Sequence, residues 1–234
     1  VGGAGFVGRY LWNKWPVPER EVLDLTFGQD VRKGIQGRWD TVVFLSADMA
    51  RTGKAKAYNI EMYDALDEYM EEHPDTHVIY TSSAAVYGDR IEPQSEHSLV
   101  GPVNLYGQSK LIGEAYVQQY PKHTILRLSN VIGRGDGHGV YDSFLNGGTT
   151  IFGDGMNVRD YVAAGTVAGV IQQAAKYPER WQGITNVSTG EGKTVLEIFK
   201  EINGDGYEPV FEKKRPGDAR YYVLDNTKMK GLLR

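Results

Sequence analysis

The chain has 234 residues, enough for one large domain or one domain with a small second lobe, and its 41% hydrophobic and 24% charged residues supply an ordinary globular core. The formal net charge of −4 gives no global field for nucleic acid or an anionic membrane. The absence of cysteine excludes disulfides, thiolate catalysis and zinc–cysteine sites, and it fits a reducing, cytoplasmic compartment.

The chain opens on Gly2-Gly3-Ala4-Gly5-Phe6-Val7-Gly8, which satisfies GxxGxxG from Gly2 and GxGxxG from Gly3. Such a turn lets the backbone approach a pyrophosphate and opens a helix whose N-terminus faces the phosphates. It normally follows a strand, so the sequence predicts residues before Val1. Phe6, Val7, Tyr10 and Leu11 recur at helical spacing until Pro16 and Pro18 end the pattern. A strand over residues 21–25 then carries Asp24. A carboxylate in that region accepts hydrogen bonds from an adenosine ribose and repels a 2′-phosphate, which favours NAD over NADP.

Further strands are predicted over residues 41–46, 77–82 and 123–128, the first two apolar almost throughout, as strands covered on both faces should be. Helices are predicted over residues 58–72 and 107–120, stopped by Pro74 and Pro121. Beyond residue 130 glycines crowd the sequence, with helices over 166–176 and 194–202. This alternation predicts an α/β fold, a Rossmann-type doubly wound parallel sheet with a small C-terminal substrate lobe. Residues 1–130 would form the dinucleotide-binding domain, its first strand mostly missing. Residues 131–234 would be mainly the substrate lobe, with segments returning to the sheet. No apolar run approaches the roughly 18–20 residues of a membrane span.

Three residues carry chemistry. Ser83 closes the strand over 77–82, and Tyr106 and Lys110 stand four apart on one face of a helix. An ammonium there is expected to favour the phenolate and lower the tyrosine pKa toward that of a general base. The Tyr-x-x-x-Lys spacing alone carries little, because the chain holds 15 tyrosines. Its weight comes from its order after the glycine turn and the strand-end serine. No GxSxG elbow is present, and the histidines offer no metal-binding spacing.

The segments GGAGFVG, LDL, FLSA, TSSAAVYG and YGQSKLIGE, followed by LRLSN, FGDGMNVRDYV and RPGDA, resemble the extended short-chain dehydrogenase/reductase family. The resemblance is closest to the NAD-dependent nucleotide-sugar epimerases of the UDP-glucose/UDP-galactose 4-epimerase type. It implies Tyr106 as acid/base, Lys110 on the nicotinamide ribose and Ser83 on the substrate hydroxyl. It implies NAD contacts from Gly2, Gly5, Phe6, Val7, Gly8, Asp24, Asp30, Val31, Leu45, Ser46, Ala47 and Asn59. On the nucleotide-sugar side it implies Asn130, Phe152, Arg159, Arg215 and Asp218, the arginines meeting the diphosphate.

Family dehydratases and decarboxylases place an acid just after the serine or threonine, where this chain has Ala84-Ala85. That favours epimerisation or simple reduction. The short stretch from Asp24 to Asp30 is more like reductases of nucleotide-linked keto-deoxysugars, and a non-catalytic NAD sensor is a third reading. Gly165-Thr166 replace an acidic pair, and the chain reaches Arg234 without the usual final helix. The resemblance leaves a homodimer open, through a four-helix contact of the helices over 58–72 and 107–120.

Overall fold

The computed structural model describes residues 1–3, 5–15, 35, 37–45, 53–133 and 139–234. In chain order its first elements are α1 (Phe6–Lys14), β1 (Thr41–Phe44), α2 (Gly53–Glu72), β2 (His77–Ser83), a 3₁₀ turn (Ala84–Tyr87), α3 (Leu105–Gln118) and β3 (His123–Leu128). Next come β4 (Asn130–Ile132), α4 (Val140–Leu145), β5 (Thr150–Phe152), β6 (Val158–Ala163), α5 (Ala164–Lys176) and β7 (Gly183–Val187). The last are β8 (Gly192–Thr194), α6 (Val195–Asn203), β9 (Val210–Glu212), β10 (Tyr221–Tyr222) and α7 (Thr227–Leu232). The predicted strand over 21–25 lies outside the described residues.

The main sheet has the order β1-β2-β3-β7, and every pairing in it is parallel. Val1 hydrogen-bonds to Val43 and Leu45, beside β1, so the glycine turn starts at a sheet edge. Side chains alternate across the sheet. Val42, Phe44, Val78, Tyr80 and Ile125 pack under α2 and α3 against Met62, Tyr63, Leu66 and Val117. Ile79, Leu126, Leu128 and Val187 pack on the other face against Leu11, Val167, Val170 and Ile171 of α1 and α5. Burial on both faces is why these strands read as continuous apolar runs. The doubly wound parallel sheet expected from the sequence is therefore the fold.

The C-terminal half divides its elements. α5, β7 and α7 join the main sheet, where Met229 of α7 packs in the same core as α5. α7 is a helix that the sequence pattern does not announce. β6 pairs parallel with β4 and β10 and antiparallel with β8, while β5 pairs with β9. Phe144, Ile151, Ile198 and Phe199 form a separate small core among α4, β5 and α6. On α2, Glu61, Glu68, Glu71 and Glu72 are exposed, so a symmetric contact through that helix would have to accommodate these carboxylates.

One buried ion pair fastens α3 to the sheet. Glu114 accepts from Arg127 Nε at 2.9 Å and Nη2 at 2.6 Å, and also from the Ser82 hydroxyl. Removing one partner leaves an uncompensated buried charge, at a cost of about 3–5 kcal/mol. Arg127→Met should lower unfolding stability by that amount, and Glu114→Leu/Arg127→Met should recover a large part of it. Urea unfolding measures both; equal losses in the single and double variants would show that the cost is packing and not charge.

Candidate active site

The glycine turn fits a dinucleotide on steric grounds. A Cβ on Gly8 would meet the Gly3 carbonyl oxygen at 2.2 Å, so only glycine lets α1 start this close to the turn. Gly5 caps α1 with no side-chain hydrogen bond, and no acid stands in the first turn. No side chain of the cap thus occupies the N-terminal amides of this nine-residue helix, an arrangement that can accept an anion. Phe6 and Val7 form the first turn of that helix, and Leu45, just after β1, donates its N–H to the Val1 carbonyl. Asp24, Asp30, Val31, Ser46 and Ala47 lie outside the described residues.

Ser83 ends β2 in extended conformation and caps the 3₁₀ turn, its hydroxyl accepting from Ala85 N at 3.2 Å. Tyr106 is the second residue of α3, its phenol close enough to Ser83 for the serine to favour the ionised form. Gly107 permits this approach: a Cβ there would meet the Ala85 carbonyl oxygen at 2.6 Å. Lys110, one turn on, is 2% exposed and donates to the Thr81 carbonyl at 2.7 Å. The three residues expected to carry chemistry therefore converge at the C-terminal ends of β2 and the head of α3.

The electrostatics differ from the sequence expectation. Burial pushes the Tyr106 phenol up to about 12, and the opposing influence is the Ser83 hydrogen bond, not the Lys110 ammonium. Burial also pushes Lys110 down to about 7, against the pull of the Glu114 carboxylate. Its Nζ sits 4.9 Å from the centroid of the Tyr80 ring. Desolvation of both groups outweighs their mutual attraction in the protein alone.

Asn59 is buried on α2, and its amide donates to Ser109 Oγ at 3.1 Å. Ser109 donates in turn to the Tyr106 carbonyl at 2.8 Å, so Asn59 braces the head of α3. Glu114 lies one further turn along the Tyr106/Lys110 face. Behind it, the Arg127 guanidinium stacks 4.7 Å over the Tyr87 ring, whose hydroxyl donates to Asn186 Oδ1 at 2.8 Å. The sequence reading assigned no role to Glu114 or Arg127. The signals were present: an acid at helical spacing in YGQSKLIGE, and a lone arginine inside the apolar strand HTILRL.

The substrate-side residues meet in pairs. The Arg215 guanidinium stacks 3.6 Å over the Phe152 ring. Arg159 is buried, donates to Asp218 Oδ1 at 3.2 Å and to the Ala219 carbonyl at 2.7 Å, and lies 4.9 Å over the Tyr222 ring. Asn157 donates to the other oxygen of Asp218 at 3.1 Å. Asn130, exposed at the start of β4, lines an open pocket with Val131, Ile132, Val140, Tyr141 and Tyr161. The Tyr161 hydroxyl is buried without a hydrogen-bond partner among the described residues, so a ligand oxygen there would meet a free donor. No group of three His, Asp or Glu among the described residues could hold a metal ion. No described helix is long and apolar enough to cross a membrane.

Comparison with known proteins agrees with this fold. A UDP-glucose 4-epimerase of Mycolicibacterium smegmatis is 35% identical over 175 residues, 67% of this chain and 56% of that protein. The chain spans 54–59% of the length of three curated relatives that it matches. The crystal structure of Thermotoga maritima UDP-glucose 4-epimerase with UDP-glucose superposes at a TM-score of 0.78 and 27% identity, covering 98% of this chain and 90% of that one. The Thermus thermophilus UDP-glucose 4-epimerase complex with NAD gives 0.81 and 26% identity, with coverage of 98% and 90%. The model of the NAD-dependent epimerase/dehydratase family matches residues 16–188, and the chain belongs to that family.

Proposed function

We propose that the protein interconverts UDP-glucose and UDP-galactose, using NAD held at the glycine turn. The observation that carries this reading is the placement of Tyr106 at the head of α3 and Ser83 at the end of β2, with Lys110 buried one turn on and Ala84-Ala85 after the serine, where elimination or decarboxylation would call for an acid. The UDP-glucose 4-epimerases among the relatives support the choice of reaction and nucleotide.

The chain's own groups divide the work. Tyr106 Oη takes the proton from the sugar hydroxyl, while Ser83 Oγ hydrogen-bonds the same oxygen and fixes its distance from the base. Lys110 would hold the nicotinamide ribose and add positive charge near the phenol, opposing the burial that pushes Tyr106 up. NAD, when bound, would supply a reversible hydride acceptor for the sugar carbon. Tyr106 then gives its proton back to the sugar oxygen, so neither a proton nor an electron pair is consumed overall. Arg215, stacked on Phe152, and Arg159, which holds Asp218, would meet the diphosphate and ribose; Asn130 and Tyr161 would line the sugar side.

Purified protein should convert UDP-galactose to UDP-glucose without added cofactor, read by chromatographic identification of the product. Consumption of NAD(P)H with a nucleotide-linked keto-sugar as the only turnover would make it a reductase. NAD binding with no turnover of any nucleotide sugar would make it a sensor. Tyr106→Phe, which keeps the ring and removes the acid/base, should lower kcat by about 10²–10⁴-fold, the usual worth of a positioned proton-transfer group.

The buried lysine gives a pH signature independent of turnover. Unfolded, Lys110 keeps its proton up to its ordinary value of 10.5, whereas the folded chain releases it from about 7. Between these values the unfolded state binds more protons, so stability rises with pH. Tyr106, raised from 10.0 to about 12, acts in the opposite direction and only as the pH nears 10, where its effect is small beside that of Lys110. Urea-unfolding stability of the cofactor-free protein should increase from pH 7.5 to 9.5, and Lys110→Met should flatten that slope; an unchanged slope would show that Lys110 keeps its proton in the fold.

A further inference from the structure

We propose that Asn104 is a positioning residue that couples the loop carrying Arg215 and Asp218 to the helix carrying Tyr106. The proposal rests on the reading of Tyr106 as acid/base and of that loop as the nucleotide-diphosphate clamp.

Asn104 uses both ends of one amide. Its Oδ1 accepts from Gly107 N at 2.8 Å, capping α3 two residues before the catalytic tyrosine. Its Nδ2 donates to the Gly217 carbonyl at 3.1 Å, in the middle of the Arg215–Asp218 turn. The orientation of the amide is fixed by its partners, because a backbone N–H can face only the oxygen and a carbonyl only the nitrogen. Gly217 has φ +67°, and a Cβ there would stand 3.1 Å from Asn104 Cβ and 3.2 Å from the Val103 carbonyl oxygen. The loop is thus pressed onto the helix cap at a position built for glycine.

The same two chain segments are fastened further along. Asp89 Oδ1 accepts from Arg220 N at 2.6 Å and Tyr221 N at 3.3 Å. Gln94 N donates to the Val223 carbonyl at 3.0 Å, and Asp225 N to the Gln94 carbonyl at 2.9 Å. These bonds hold the loop behind Asp218, whereas the Asn104 amide ties its tip to the helix that carries the base. Arg159 passes the constraint on, since it grips Asp218 and the Ala219 carbonyl.

The two ends of the amide can be separated by substitution. Asn104→Asp keeps an oxygen for the cap, favoured by the helix dipole, but loses the donor and turns a lone pair toward the Gly217 carbonyl. Asn104→Ala loses both bonds. Asn104→Asp should raise KM for UDP-galactose about fivefold, the worth of roughly one hydrogen bond, with kcat falling less than KM rises. Amide hydrogen exchange of the same variant should quicken at residues 217–220 and stay slow at 105–112. Asn104→Ala should lower kcat as well and quicken exchange in both segments. Wild-type KM and wild-type exchange at 217–220 in Asn104→Asp would overturn the proposal, as would a loss of kcat with KM unchanged. If the wild type turned over no nucleotide sugar, yet Asn104→Asp still loosened 217–220 and weakened UDP binding by calorimetry, the coupling would stand and the assigned reaction would fall.

Discussion

The structure depends on the buried pair between Glu114 and Arg127. α3 places Tyr106, Lys110 and Glu114 on one face at successive turns, so the same stripe runs from chemistry at its head to an anchor in the core. Glu114 binds β2 through Ser82 and β3 through Arg127. β2 is also the strand that ends in Ser83. The anchor therefore sets the height of the tyrosine against the serine, which a helix held only by apolar packing could slide past. Two charges in the interior gain little net stability by themselves; here their directional bonds fix a register.

The network continues outward from that pair. Arg127 stacks on Tyr87, Tyr87 reaches Asn186 on β7, and Asn186 Nδ2 donates to the Gln94 carbonyl at 2.8 Å. Gln94 belongs to the segment between Ser83 and Tyr106 and is itself bound to Val223 and Asp225. The segment linking the two reactive side chains is thus tied to the last strand of the sheet and to the stretch that follows the Arg215–Asp218 turn. Connected buried polar groups of this kind restrict alternatives more than they add stability.

The sheet and its helices were legible because their signals are local and periodic. β1, β2 and β3 are apolar runs, and helices α2 and α3 end at proline-marked boundaries. Helix starts were less legible: α2 begins at Gly53 and α3 at Leu105, ahead of the apolar pattern, and for α3 the Asn104 cap, not the hydrophobic period, decides where the helix opens. β7 was missed since GITNV carries an amide and a threonine in its middle; Asn186 is there to bind Tyr87, a reason visible only in three dimensions. At the site, residue types and order gave Ser83, Tyr106 and Lys110. They did not give the balance of burial against charge, because desolvation depends on what covers a side chain and not on its neighbours in sequence. The pairing of Arg159 with Asp218 was likewise out of reach, since 59 residues separate them.

Lys110 shows what the anchor is for. Burying an ammonium with a carbonyl as its hydrogen-bond partner works against folding, and burial holds it near 7. A protein selected for stability alone would place an apolar residue there. The lysine is retained at a cost that the surrounding structure must offset, as functional sites commonly demand. Glu114 supplies part of the compensation twice over: its carboxylate favours the charged lysine one turn away, and its bonds to Ser82 and Arg127 keep the helix from shifting to give that lysine solvent. A positive charge kept desolvated at a strand end acts with little dielectric screening on whatever negative charge arrives or develops there. The burial of Lys110 and the rigidity at Glu114 are therefore two halves of one arrangement: the first desolvates the ammonium, and the second prevents the helix from relaxing that burial away.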